Sequence, residues 1–111
     1  MAVVIDTCVV IGFLRGAEPE KSCLANVLKN GEGLLTSITV FELMLGLEQY
    51  SKRKNIAQQL VDFLSVVPFN KEAACMAANI ERGLRQQGMV IGTRDVFIAG
   101  TCLAHGLTIV T

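Results

Sequence analysis

The feature that most constrains this chain is the alternation of short apolar runs with longer stretches of helical pattern. The apolar runs are AVVI at 2–5, GLLTS at 33–37, SVVPF at 65–69 and LTIVT at 107–111. The helical stretches are 7–14, about 19–30, 39–48, 52–64, 70–87 and 93–105. Apolar strands that alternate with helices predict a parallel sheet covered on both sides. We therefore expect one α/β domain, with the third strand at an edge because Pro68 cannot donate to a neighbouring strand.

The composition is that of a folded domain. The chain has 111 residues, of which 51% are hydrophobic and 18% charged, so it can bury a core without disulfide or metal staples and is not disordered. The formal net charge is zero. This excludes the strongly basic class of nucleic-acid binder and leaves only local basic patches for such contacts.

The sequence indicates neither a signal peptide nor a membrane partner. MAVVID reaches an acid at its sixth residue without a preceding basic region. The longest uncharged run, VFIAGTCLAHGLTIVT at 96–111, is short for a membrane span and is interrupted by two glycines and a histidine. The cysteines form no C-x-x-C pair and the chain has a single His, so we expect buried free thiols in a reducing cytoplasm. They are Cys8, Cys23, Cys75 and Cys102.

Three acidic residues lie in the least polar parts of the chain. Asp6 lies in VVIDTCVV, Glu42 in ITVFELML and Asp95 in TRDVFIAG. Burying an unpaired carboxylate is costly, so each needs a partner. Ligands of open parallel sheets bind beyond the carboxyl ends of the strands, and we expect all three acids at that edge.

Each acid also has an ordinary structural explanation. Asp6 could be a helix N-cap, and Glu42 could complete a capping box with Thr39. Asp95 could stabilise the first turn of a helix that Thr93 caps. Together at one edge, however, three carboxylates are stable only if they bind cations or take up protons. Oxygen ligands without His or Cys favour Mg²⁺ or Mn²⁺.

The segments VVIDTCVVIGFLRG, TSITVFELMLG and GMVIGTRDVFIAGTCLAHGLTIVT carry a resemblance that covers essentially the whole chain. They resemble the PIN-domain ribonucleases, and among them the small toxin subunits of VapBC toxin-antitoxin pairs. The first looks like the opening strand with its catalytic aspartate, the second like the Ser/Thr-rich approach to the catalytic glutamate, and the third like the segment of the third acid. The resemblance implies a PIN-like three-layer α/β fold in which helices flank a central parallel sheet.

The resemblance also implies the residues of the site. Asp6, Glu42 and Asp95 carry over as catalytic residues and as ligands of Mg²⁺ or Mn²⁺, with Thr7 and Thr111 as supporting hydroxyls. Family members usually continue past that last threonine with a polar segment and a fifth strand. We therefore expect four strands here, in a single PIN-like domain over residues 1–111 that lacks the family's C-terminal segment.

The function implied by the resemblance is that of a metal-dependent endoribonuclease toxin. It would hydrolyse RNA to leave a 5′-phosphate, would be neutralised by a VapB-type antitoxin and would form a homodimer. Arg94 and Arg15 are candidates for gripping RNA phosphates, although Arg94 could as easily pair with a neighbouring acid. Two alternatives remain open: a non-catalytic α/β interaction module, and a PIN-type nuclease directed to DNA.

Several helices have patterns that predict how they pack. TCVVIGFL at 7–14 and TVFELMLGL at 39–47 are apolar almost all round. Unless these helices cover each other, we expect each to leave an exposed apolar stripe at which a partner binds. AACMAA, within 70–87, contains small residues that suit either packing inside the chain or a dimer seam. Met44 and Met76 are expected in the core.

Overall fold

The fold is known from a computed structural model, which describes the backbone of residues 2–111 and the side chains of 2–49 and 53–111. The strands are β1 Val3–Ile5, β2 Gly33–Thr36, β3 Ser65–Val67 and β4 Thr108–Val110. The helices are α1 Thr7–Leu14, α2 Glu20–Asn30, α3 Ser37–Leu45, α4 Lys54–Phe63, α5 Lys71–Gln86 and α6 Thr93–His105. A 3-10 helix, Leu47–Arg53, joins α3 to α4.

The four strands form one sheet in the order β3-β2-β1-β4, and every neighbouring pair is parallel. β1 therefore lies inside the sheet, between β2 and β4, and β3 lies at an edge. The predicted parallel sheet and the edge position of the strand before Pro68 are both confirmed. Because the strands are parallel, the residues that follow β1, β2 and β4 lie along one edge.

Helices cover both faces of the sheet. Neighbouring residues of β1 point to opposite faces: Ile5 belongs to a core cluster with residues of α1 to α4, whereas Val4 packs against Ile98 and Cys102 of α6. Leu35 of β2 joins the first cluster. This is the three-layer α/β arrangement predicted from strands that are apolar at consecutive positions.

The small residues of α5 serve packing inside the chain. Ala73 and Ala77 are buried, and a Cβ placed on Gly100 of α6 would lie 2.7 Å from the Ala77 nitrogen and 2.8 Å from the Ala73 oxygen. The α5 and α6 backbones thus approach as closely as a glycine allows. Met76 faces away from this contact and is exposed, so its prediction as a core residue was wrong. Met44 packs against the core as predicted.

Helix α3 begins earlier than the sequence predicted. Thr36 is the N-cap, and its side chain accepts a hydrogen bond of 3.1 Å from the Thr39 amide. Thr39 consequently lies inside the helix, and the capping box that would have explained Glu42 is not formed. Glu42 instead projects from the middle of α3.

The apolar stripe predicted on α3 is confirmed, whereas that on α1 is not. Phe41 and Leu45, one helical turn apart, are 52% and 63% exposed. On α1, by contrast, Val9, Val10 and Leu14 are buried in the core cluster. α1 is covered because α2 and α3 pack on it in addition to the sheet.

The cysteines are all free thiols, but the prediction that all four are buried was wrong. Cys102 is buried and Cys23 is half-buried, whereas Cys8 and Cys75 are exposed. Cys8 occupies an outward position of α1, and Cys75 lies on the face of α5 that points away from α6. None of the helices among the described residues is long and apolar enough to cross a membrane.

Candidate active site

Asp6 lies directly after β1, at the N-cap position of α1. Its backbone nitrogen donates to the Val110 oxygen at 3.0 Å, and its own carbonyl accepts from the Val9 amide at 3.0 Å. Its side chain makes no capping hydrogen bond, and Oδ2 accepts from the Cys8 thiol at 3.2 Å. A thiol is a weak donor, so this half-buried carboxylate keeps most of its capacity to accept. The N-cap explanation is therefore right about position and wrong about the side chain.

Glu42 is held from both sides. Its Oε1 accepts a hydrogen bond of 2.8 Å from the Thr7 hydroxyl, and its Oε2 lies 3.7 Å from Nη1 of Arg94. Because Thr7 directly follows Asp6, the first of these contacts joins the Asp6 segment to α3. The second joins α3 to the start of α6.

A line of three hydrogen-bonded threonine hydroxyls ends at the Glu42 carboxylate. Thr36 donates to Thr39 at 3.2 Å, and the Thr39 and Thr7 hydroxyl oxygens lie 2.8 Å apart. Thr7 gives its one proton to Glu42, so Thr39 must donate to Thr7, and the whole line points toward the carboxylate. All three threonines are buried. Thr36 and Thr39 were not among the predicted site residues, although the polar TSIT at 36–39 was the signal that could have revealed them.

Asp95 lies in the first turn of α6 and is exposed. The helix starts after Gly92, which is its N-cap, so Thr93 is its first residue and does not cap it. A Cβ placed on Gly92 would lie 3.3 Å from Asp95 Oδ2, which shows that the carboxylate turns back toward the start of the helix. The Arg94 contact with Glu42 brings this end of α6 to the same edge of the sheet as α3.

The three predicted acids do not form a ready-made metal site. Over the described part of the chain, no three acidic, histidine or cysteine side chains lie close enough together to hold one ion. The donors themselves suit a hard divalent cation, since Asp6 and Glu42 present carboxylate oxygens and Thr7 a hydroxyl. Glu42 is turned toward Arg94, and Asp95 toward Gly92. The residue types therefore fit Mg²⁺ or Mn²⁺, while their side chains lie apart.

Comparison with known proteins places this arrangement in a family. The sequence-family model of the PIN domain matches residues 3–111, which is nearly the whole chain. The chain belongs to the PIN-domain family. A VapC ribonuclease of Sinorhizobium fredii is 36% identical over 120 residues, covering 98% of this chain and 85% of the relative. A relative from Salmonella typhimurium, named tRNA(fMet)-specific endonuclease VapC, is 31% identical and covers 96% of this chain and 80% of its own length.

Solved structures agree with this assignment. The VapBC complex of Salmonella typhimurium, crystallised with bound DNA, contains a chain that superposes with a TM-score of 0.83 at 25% identity. The match covers 98% of this PIN domain and 84% of that chain. This PIN domain therefore groups with the VapC ribonucleases in both sequence and fold.

The charge of Asp6 acts on two neighbouring thiols of the PIN domain. Partial burial raises the pKa of Cys8, and the hydrogen bond to Asp6 and the Asp6 charge raise it further. Burial likewise raises the pKa of Cys102 on α6, with a further contribution from the Asp6 charge. The Asp6 carboxylate is thus close enough to both α1 and α6 to influence ionisation there.

The structure places the remaining predicted residues at different distances from Asp6. Thr111 follows Val110, which pairs with Ile5, so it lies beside Asp6 at the edge of the sheet. Arg15 is the C-cap of α1, at the opposite end of this eight-residue helix, about 12 Å away along its axis. Arg15 and Cys8 nevertheless line one open cleft. Arg94 lies in the site, where it pairs with Glu42 as the alternative interpretation foresaw.

Proposed function

We propose that this chain is an endoribonuclease toxin of the VapC type, neutralised by a VapB-type antitoxin in the cytoplasm. The observation that carries this proposal is the 36% identity to a VapC ribonuclease over 98% of the chain. The site supports it independently, because Asp6 and Glu42, which follow separate strands, are joined through the Thr7 hydroxyl.

We assign Asp6, Glu42 and Asp95 as the catalytic acids and as the ligands of Mg²⁺ or Mn²⁺. A bound divalent ion acidifies water and neutralises phosphate oxygens, which is the chemistry that phosphodiester hydrolysis requires. Thr7 fixes one oxygen of Glu42, so that this carboxylate keeps a single orientation. Among the described residues Asp6 accepts from the weak thiol donor of Cys8 alone, which leaves it able to take the proton of an attacking water.

Two arginine side chains and a threonine hydroxyl complete the proposed substrate site. Arg94 lies beside Glu42 and is 51% exposed, so it can reach an RNA phosphate. Arg15 lies further along the cleft that begins at Cys8, where it would contact a more distant phosphate. Thr111 offers a hydroxyl next to Asp6.

The decisive experiment measures cleavage of RNA by the purified chain with Mg²⁺ or Mn²⁺ and with EDTA. Initiator tRNA is the first substrate to test, because one relative is named for it; a single-stranded RNA and a single-stranded DNA of equal length complete the set. We expect metal-dependent cleavage of RNA that Glu42→Gln abolishes. Glu81→Gln is the matched control, because Glu81 pairs with Arg85 outside the site.

Three outcomes would contradict the assignment. Equal cleavage in EDTA would remove the metal mechanism, and faster cleavage of DNA would make the chain a DNA-directed nuclease. No cleavage and no metal binding would leave an interaction module.

The surface at which an antitoxin would bind lies on α3. Phe41 and Leu45 form an exposed apolar pair on the helix that carries Glu42, so a partner seated there lies beside the site. We propose that the antitoxin binds this pair and extends a basic side chain toward the acids, and that the chain also forms a homodimer. Leu45→Glu should abolish co-purification with the co-expressed antitoxin while RNA cleavage remains. Phe63→Glu, on the exposed side of α4, is the control that should retain the antitoxin.

Light scattering on the purified chain tests the homodimer. A monomer at high concentration would contradict that part alone.

A further inference from the structure

Arg94 crosses from α6 to α3 and contacts it at two points. Its Nη1 lies 3.7 Å from Glu42 Oε2, and its guanidinium carbon lies 5.1 Å from the centre of the Phe41 ring. The two contacts involve consecutive residues of α3. The Arg94 guanidinium can therefore interact with either of two adjacent side chains of α3, the Glu42 carboxylate or the Phe41 ring.

The contact with Glu42 is of the kind that a stronger cation can replace. At 3.7 Å it is a charge contact and not a hydrogen bond, and the Arg94 side chain is half-exposed. Ion pairs with such exposure are weak and are screened by salt. The contact with the Phe41 face depends on the ring and not on the carboxylate, so it can hold the guanidinium nearby when Glu42 is engaged elsewhere.

Glu42 has no oxygen free of a protein partner in this structure. Oε1 accepts from Thr7, whose orientation the buried threonines fix, and Oε2 faces Arg94. A guanidinium and a divalent ion on the same carboxylate repel each other. Glu42 should therefore bind a divalent ion less tightly while Arg94 stays beside it than after Arg94 has moved away.

We propose that Arg94 is an internal counter-ion that competes with the divalent cation for Glu42 and, once released, remains on Phe41 as a phosphate contact. Binding of metal and grip on the RNA are thereby linked through one side chain. This inference rests on the proposed function, since it requires that Glu42 be a metal ligand. Arg94 is then a positioning residue. Its contact with Glu42 hinders metal binding, and its contact with Phe41 keeps the guanidinium close to the RNA.

The test is calorimetric titration of Mn²⁺ into the wild-type chain and into Arg94→Gln, with no RNA present. We expect Arg94→Gln to bind Mn²⁺ about twofold to fivefold more tightly, the range that follows from losing a partly exposed competing charge. Arg94→Lys keeps a charge and should restore the wild-type affinity in large part. Arg85→Gln, which removes a similarly exposed arginine paired with Glu81 on α5, should leave the affinity unchanged.

Two further measurements separate competition from a purely structural role. The rise in Tm caused by Mn²⁺ should be larger in Arg94→Gln than in wild type, whereas a structural role would lower both Tm values and leave the rise unchanged. In cleavage assays, Arg94→Gln should raise the KM for RNA more than it lowers kcat.

Equal Mn²⁺ affinity of wild type and Arg94→Gln would overturn the inference and leave the proposed function intact. Failure of both chains to bind Mn²⁺ would overturn both.

Discussion

The Thr7 hydroxyl donates a hydrogen bond of 2.8 Å to the Glu42 carboxylate across 35 positions of sequence. Thr7 is the first residue of α1 and follows Asp6, whereas Glu42 lies in the middle of α3. The bond therefore fixes the relative position of Asp6, which follows β1, and Glu42, which lies on the helix after β2. It also closes a line of buried hydroxyls that starts at Thr36.

Thr7→Val should both destabilise the fold and weaken catalysis. Valine keeps the shape but removes the donor to Glu42, and losing a hydrogen bond to a charged group costs about 1.5–3 kcal/mol. Urea denaturation should show this loss, and RNA cleavage should fall because Glu42 is no longer fixed. Thr108→Val, at an exposed position of β4, is the control. An unchanged free energy of unfolding would show that the bond contributes nothing.

Asp95→Asn separates the catalytic role of this acid from its role in the helix. An acid in the first turn stabilises a helix by about 0.3–1 kcal/mol, so the stability should fall by no more than that. If Asp95 takes part in the chemistry, cleavage should fall by at least about a hundredfold. The measurements are thermal unfolding and initial rates with Mg²⁺. Cleavage within twofold of wild type would mean that Asp95 only serves the helix.

Gly100→Ala should destabilise the protein although alanine is the better helix former. The added methyl group would lie within 2.8 Å of the Ala77 nitrogen and the Ala73 oxygen, and both are backbone atoms. Forcing α5 and α6 apart should cost about 1–3 kcal/mol. Gly83→Ala is the matched control on α5: its Cβ meets nothing within 4 Å, so it should stabilise the helix by up to about 1 kcal/mol. Equal effects of the two changes in denaturant unfolding would contradict this.

The pH midpoint of Cys8 alkylation should depend on the charge of Asp6. The pKa of Cys8 is raised first by partial burial and then by Asp6, and the thiolate is the form that alkylating reagents attack. The pH midpoint of Cys8 alkylation should therefore lie above that of a free thiol. Asp6→Asn should move it down, because the Asp6 charge disappears while the burial remains. Mass spectrometry can follow Cys8 beside the exposed Cys75, whose profile should not respond; an unmoved Cys8 midpoint would refute the prediction.

The sheet and the positions of Asp6 and Glu42 could be predicted because each depends on local pattern. Strands that are apolar at consecutive positions are buried on both faces, and polar residues directly after them lie at the carboxyl edge. The start of α3 could not be predicted, because Thr36 and Thr39 are both good N-caps. The choice depends on where β2 ends, and Thr36 is its last paired residue, opposite Val67.

Other features depend on contacts between distant parts of the chain. Which face of α5 is buried follows from the close approach at Gly100, so the exposure of Met76 and Cys75 was not visible in the repeated small residues. The pairing of Arg94 with Glu42 depends on where the start of α6 sits relative to α3. The sequence supplied both partners but not the distance between them.

The pairing of β1 also decides when during synthesis the Asp6 edge can form. Val3 pairs with Gly33 on one side and with Thr108 on the other, and the Asp6 amide finds its acceptor on Val110. A nascent chain cannot complete the Asp6 edge until residues 108–110 have left the ribosome, because β1 must wait for β4 to pair with it. Nascent chains stalled while β4 is still inside the ribosome should therefore not cleave RNA.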